Sequence, residues 1–164
     1  MGWNTSALFV RDRSIEEVAG CLADAAYAPG HDRASADQAW SGRPGRRLYL
    51  AESGGWCQLW DPDQRIPFEI ESFLKGTRVL AVVFAGVSSV YGFWLYDDGE
   101  LVRGSVLENG EPVVDLGEPL PVEARVRIPE WGPDEDFLWE VIGDVTGLTA
   151  AVDQTFEVYE AVTR

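Results

Sequence analysis

His31, Cys21 and Cys57 are the whole stock of histidine and cysteine in this sequence, and they lie far apart. A serine or cysteine nucleophile needs an adjacent base, so any triad would have to draft His31. The nearest approach to a nucleophile elbow, Gly86-Val87-Ser88-Ser89-Val90, lacks the closing glycine of that strained turn. A phosphate loop needs clustered glycines before Lys-Ser or Lys-Thr; Lys75 is followed by Gly76 and has no such cluster before it. Asp61-Pro62-Asp63 opens like a calcium loop. Arg65, Ile66 and Ser72 then stand where that loop needs an acid or amide, a glycine and a glutamate. One histidine and two distant cysteines do not make a zinc site. The sequence therefore predicts no catalytic residue, no metal and no cofactor. Paired carboxylates remain open as acid–base chemistry, because spacing does not say which of the 28 acids converge in space.

Two groupings instead suggest binding. The first is Trp94, Tyr96, Asp97, Asp98 and Glu100; the second is Glu130, Trp131, Asp134, Glu135 and Asp136. Rings supply buried area and acids supply steering, which is what a patch for a basic partner uses. The plainer reading is that the tryptophans pack and the acids serve turns and helix caps. An alternative ligand site combines His31 with Arg43 and Arg46 of the basic run Gly42-Arg43-Pro44-Gly45-Arg46-Arg47, set above Trp56 and Trp60.

Charge supports the first idea. Residues 1–82 carry 9 basic and 11 acidic side chains, whereas residues 83–164 carry 4 and 17, so nearly all of the net −15 lies in the second half. Such a field repels phosphates, which argues against nucleic acid and against an anionic membrane surface. It favours a basic protein or a cationic ligand. The longest apolar stretch, Val79 to Val87, is far too short to span a membrane, and the Ala7-Leu8-Phe9-Val10 run is too short for a signal-peptide core. The expected location is the cytoplasm, with both cysteines reduced in the core. Oligomeric state is not encoded in any pattern.

These residues need elements to hold them. Trp3 to Val10 reads as a strand. Ser14 and Glu17 form a capping-box pair, with Ile15, Val18, Leu22 and Ala25 as the apolar face of a helix ending near Tyr27. Residues 28–46, punctuated by Pro29, Gly30, Gly42, Pro44 and Gly45, read as a long loop with room for one short turn around Ala34 to Trp40. Arg47 to Glu52 and Gly55 to Trp60 form a hairpin closed by Ser53-Gly54, with Trp56, Gln58 and Trp60 on one face. Pro67 to Leu74 reads as a short helix. Thr77 to Ala85 is a strand buried on both faces. Ser89 to Asp97, Glu100 to Leu107 and Pro112 to Asp115 form a meander through Asp98-Gly99 and Asn109-Gly110, dipeptides suited to tight hairpin turns. That register sets Leu95 opposite Val102 and Trp94 over Arg103 as a cation–π pair. Tyr91, Phe93, Leu95, Val102 and Val106 then form the core face. A helix from Pro133 to Gly147 presents Leu138, Val141, Ile142 and Val145, and Thr155 to Val162 closes the sheet. The fold class is α+β: a single domain, with a mainly antiparallel sheet of about six to eight strands and about three helices.

The segment Tyr91-Gly92-Phe93-Trp94-Leu95-Tyr96-Asp97-Asp98-Gly99-Glu100-Leu101-Val102-Arg103, with Leu116-Gly117-Glu118-Pro119-Leu120-Pro121 downstream, resembles small bacterial domains. In those domains a strand ends in a Tyr-Asp-Asp-Gly turn. Asp136-Phe137-Leu138-Trp139-Glu140-Val141 before a closing strand is similar. Such domains resemble the α+β immunity proteins of bacterial toxin systems, which act by binding. The likeness spans roughly half the chain and brings no catalytic residue. It implies an interaction protein and names no partner; joined to the acidic charge, the expected function is a non-catalytic binder of a basic partner, in its sharpest form an inhibitor that occludes a toxin. The alternatives are a small-molecule or catalytic domain using the 28–46 loop, and an assembly subunit pairing through a sheet edge.

Overall fold

The computed structural model describes residues 3–22, 27–68, 70–73, 75–128 and 134–162. Nine strands form one sheet: β1 (Asn4–Arg11), β2 (Tyr27–Ser35), β3 (Arg47–Ser53), β4 (Trp56–Asp61), β5 (Arg78–Ala85), β6 (Val90–Asp97), β7 (Glu100–Glu108), β8 (Glu111–Gly117) and β9 (Thr155–Ala161). Their order is β2-β9-β3-β4-β1-β5-β6-β7-β8, and every neighbouring pair is antiparallel. Among the described residues four α-helices accompany it: α1 (Ile15–Gly20), α2 (Ala36–Ala39), α3 (Pro121–Arg125) and α4 (Glu135–Thr146). The antiparallel sheet with a few helices is as expected; the strand count exceeds six to eight.

Alternation along the central strands splits the interior in two. On one face, Phe9, Trp60, Leu80, Val82, Phe84 and Phe93 meet Phe137, Leu138, Val141 and Ile142 of α4 and Ala36 and Ala39 of α2. On the other, Leu8, Leu50, Leu59, Val79 and Ala81 meet Ile15 and Val18 of α1, with Ile66, Ile70 and Phe73. We call these the α4 face and the α1 face. β5 supplies both, which explains its unbroken apolar run. Each fully buried side chain of this size contributes roughly 1.5–3 kcal/mol. The α4 face is aromatic: Trp60 stacks on Phe84 and Trp139 at 5.9 and 5.7 Å, and Trp40 meets Trp139 edge-on at 5.6 Å.

Local signals hold where they are strong. Ser14 and Glu17 form the reciprocal capping box, and Gly147 ends α4 at φ 77°. Asp98-Gly99 and Asn109-Gly110 take positive φ throughout, as tight hairpin turns require. Asp134 caps α4 by accepting the Asp136 N–H; Pro133 lies outside the described residues.

Several expectations are corrected. The 28–46 segment is not a long loop but β2, α2 and a short connection: the turn expected around Ala34 to Trp40 is α2, where Ser35 and Gln38 form a second capping box, and β2 pairs with β9 around a break between Pro29 and Arg33. The first helix stops at Gly20, and Tyr27 begins β2 instead of ending the helix. Two short 3-10 turns, Ile66–Phe68 and Ile70–Phe73, replace the 67–74 helix. The β3–β4 hairpin closes through Gly54-Gly55, both at positive φ, one residue later than expected.

The β6–β7 register also shifts. It begins as expected, Asp97 opposite Glu100 and Tyr96 opposite Leu101, then a bulge at Val102 sets Leu95 opposite Arg103 and Trp94 opposite Gly104. One inserted residue turns the remainder of the strand over. Arg103 and Ser105 therefore share the α4 face with Leu95 and Phe93, and Val106 moves to the α1 face. The Trp94–Arg103 cation–π pair does not form; the guanidinium bonds Glu123 and Asp115 on the opposite face.

Cys57 is buried as expected, but Cys21 is exposed at the end of α1. Burial pushes the Cys57 thiol up to about 12. A thiol reagent at mildly alkaline pH is expected to label Cys21 alone in the native protein and both thiols in denaturant. Prompt labelling of native Cys57 would show that β4 opens, since the thiolate is the reacting form.

Candidate functional site

The α1-face core draws its buried members from β1, β3, β4, β5 and β9, together with α1, Leu22 and the 3-10 turns; from β6 the half-buried Trp94 and Tyr96 pack against its margin, and β7 and β8 add nothing to it. Over these last three strands the face carries Trp94, Tyr96, Leu101, Val106, Val114 and Leu116, by their register. Trp94 and Tyr96 are half-buried, whereas Leu101 and Leu116 are 39% and 51% exposed. The arrangement at its centre depends on Gly104. A Cβ there would lie 3.2 Å from Trp94 Cδ1 and 3.7 Å from Leu101 Cδ2, so the glycine lets the indole lie across β7. Leu116 stands opposite Gly104 on β8. The result is an aromatic and aliphatic sheet surface beside water, a feature that marks interaction sites.

Acids sit at both of its turns. Glu108 and Glu111 are directly opposed on this face at the β7–β8 turn, and Asp97 and Glu100 are directly opposed at the β6–β7 turn, where alternation sets them on the other face; all are exposed. Opposed like charges cost stability in a sheet, so neither pair is explained by folding. Asp98 differs: its Oδ1 accepts the Gly76 N–H at 2.8 Å and ties the turn to the preceding loop.

The second expected grouping does not join the first. Burial, then the nearby charges of Glu135 and Asp134, push the Tyr91 phenol up, which places the start of α4 near Tyr91 on the α4 face. Tyr91 and Asp97 stand about 20 Å apart along β6, at about 3.3 Å per residue. Asp134, Glu135 and Asp136 act as cap and first turn of α4. Trp131 and Glu130 lie outside the described residues.

The expected ligand site is partly assembled. Asp37, Gln38, Ser41, Arg43, Arg47 and Tyr49 line a groove of about 560 Å³, with Pro44 and Gly45 at its edge. A smaller chamber of about 200 Å³ shares Gln38, Arg47 and Tyr49 and adds His31. The break in β2, where residues 30–32 face only Val158, pushes His31 onto that rim. Arg46 is not part of it; its backbone N–H donates to Asp63 at 2.8 Å. Trp56 and Trp60 do not line it either, being packed in the α4-face core. Trp60 stacks beneath Trp139 of α4, and its Nε1 donates to Gln58 at 2.9 Å.

Sequence reasoning missed Tyr49, which faces Trp60 across β3 and β4. It also missed Gly104 and the exposed Leu116. Apolar residues alternating on β7 and β8 were the available signal, hidden by the two register breaks.

Among the described residues no group of three or more His, Cys, Asp or Glu side chains is placed to hold a metal ion. No helix among them is long and apolar enough to cross a membrane. Compared with protein-family models, curated proteins and solved structures, the chain matches none.

Proposed function

We propose that this chain is a non-catalytic binding domain whose open β6–β8 surface receives a basic protein. The observation that carries the reading is the conjunction at that surface: Trp94 laid over Gly104 beside exposed Leu101 and Leu116, with directly opposed acids at the two turns that bound it, Glu108 and Glu111 on the same face and Asp97 and Glu100 at the rim behind it. The aromatic centre supplies contact area and the acidic ends supply steering and partner choice. In its sharpest form the domain is an inhibitor of the immunity-protein kind, acting in the cytoplasm by covering the basic site of a toxin. Assembly through a sheet edge is disfavoured. Both edge strands carry a proline and a register break, Pro29 in β2 and Pro112 in β8, and such features discourage strand addition.

The test uses immobilised protein, a lysate at low salt and a salt gradient, run in parallel on wild type, Leu116→Lys and Asp97→Asn/Asp98→Asn. Asparagine accepts the positive φ of the turn, so the double variant keeps its hairpin. The expected result is a basic protein that wild type retains and moderate salt releases. Leu116→Lys loses it, and the double variant binds it more slowly with a flatter salt dependence. An empty eluate, or retention that survives both variants, removes this surface from consideration.

A further inference from the structure

The groove on the α4 face is built for a different kind of ligand. Its floor is Tyr49, 8% exposed, whose side chain lines both chambers and whose hydroxyl has no hydrogen-bond partner among the described residues. Two opposite charges flank it without ion partners there: Arg43 in the loop and Asp37 on α2. Both other arginines here are matched, Arg47 to Glu160 at 3.1 Å and Arg33 to Glu157 at 3.8 Å, while Asp32 of the adjoining chamber has no salt bridge among the described residues. The Gln38 carbonyl oxygen accepts from Ser35, which leaves its amide N–H groups for a guest.

We propose that this groove binds a small zwitterion of the α-amino-acid class, its carboxylate at Arg43, its ammonium towards Asp37, and a polar group reaching Tyr49 and Gln38. A guanidinium fork suits a carboxylate. A simple anion would meet Asp37 and the field of a protein of net charge −15; a zwitterion carries no net charge and satisfies both orphans. The volume, about 560 Å³, is of the size that small-molecule sites use. The site lies over β3 and α2, across the sheet from the β6–β8 surface, so either can fail without the other.

The experiment is an NMR titration of the full chain with each free α-amino acid, its N-acetyl derivative and its amide. At least one free amino acid is expected to give saturable shifts at Tyr49 and Arg43. Blocking either of its charges, or making Arg43→Ala or Asp37→Asn, should weaken binding by about tenfold or more, the scale of one charged hydrogen bond. Both positions are exposed, so folding is not at stake. Absence of saturable shifts with every free amino acid overturns the proposal. So does an N-acetyl derivative that binds as tightly as the free form, or affinity unchanged in both variants.

Discussion

Replacing Arg103 with alanine is expected to cost about 3–5 kcal/mol of stability, the range for breaking a buried ion pair from one side. Arg103 is 4% exposed and serves three elements. Its Nε and one Nη donate to the two oxygens of Glu123 at 3.0 and 2.8 Å, a bidentate pair with α3. The other Nη bonds Asp115 and the carbonyls of Leu116 and Gly117 at the end of β8. Truncation leaves the largely buried Glu123 carboxylate and two carbonyls without this donor. Lysine keeps the charge but has no fork, so Arg103→Lys should fall between wild type and alanine. Arg103→Met with Glu123→Leu should recover much of the loss, because removing both partners leaves no orphaned charge. Urea unfolding reads all of these. An alanine loss under about 1 kcal/mol would show that the pair is no stronger than a surface salt bridge.

The bulge that buries Arg103 explains a limit of sequence reading. A two-residue turn fixes register only near itself. Asp98-Gly99 identified the first two cross-strand pairs, and nothing local to Val102 announces the extra residue. Its marker is remote. Gly117 has φ 79°, and a Cβ there would lie 2.2 Å from the Val102 carbonyl oxygen, so the bulged backbone needs a glycine on the neighbouring strand. β2 was hidden for a related reason. Pro29, Gly30, His31 and Asp32 look like chain breakers, and they do break the ladder, but pairing resumes at Arg33. Strong local signals survived: the Ser14–Glu17 box, the doubly buried β5 and the two meander turns. The acidic hairpin tip was legible as composition, and its apolar surround was not, since that depends on which strands the helices leave uncovered. Tyr49 enters a groove only because α2, packed on β2 and β9, and the loop after it come to lie beside β3.

Asp61→Ala is expected to cost at least about 3 kcal/mol, since it strips the acceptor from three backbone donors in a buried site. Asp61 is fully buried at the end of β4. Its carboxylate accepts from Asp63 at 3.0 Å, Arg65 at 2.7 Å and Ile66 at 2.8 Å, and its own carbonyl accepts the Ser6 hydroxyl at 2.8 Å. This is a turn anchor rather than a cation ligand, and it explains why the sequence opens like a calcium loop there. Burial pushes the Asp61 carboxyl up, against the downward pull of the Ile66, Arg65 and Asp63 N–H groups. The sign of the pH dependence follows. With a folded value above 3.8, the native state takes up the proton before the unfolded chain does, so Asp61 adds stability as pH falls through that window. Above the window the ionised group carries the full cost of desolvation. Asp61→Asn cannot titrate and replaces one acceptor oxygen with a donor. The stability gap between wild type and this variant should therefore widen on acidification towards the unfolded value. Other carboxylates titrate in both proteins and cancel in the difference. Urea midpoints for the pair, measured from neutral pH downward, give the answer: a gap that narrows instead would mean that the three N–H groups outweigh burial and hold the carboxyl below its ordinary range.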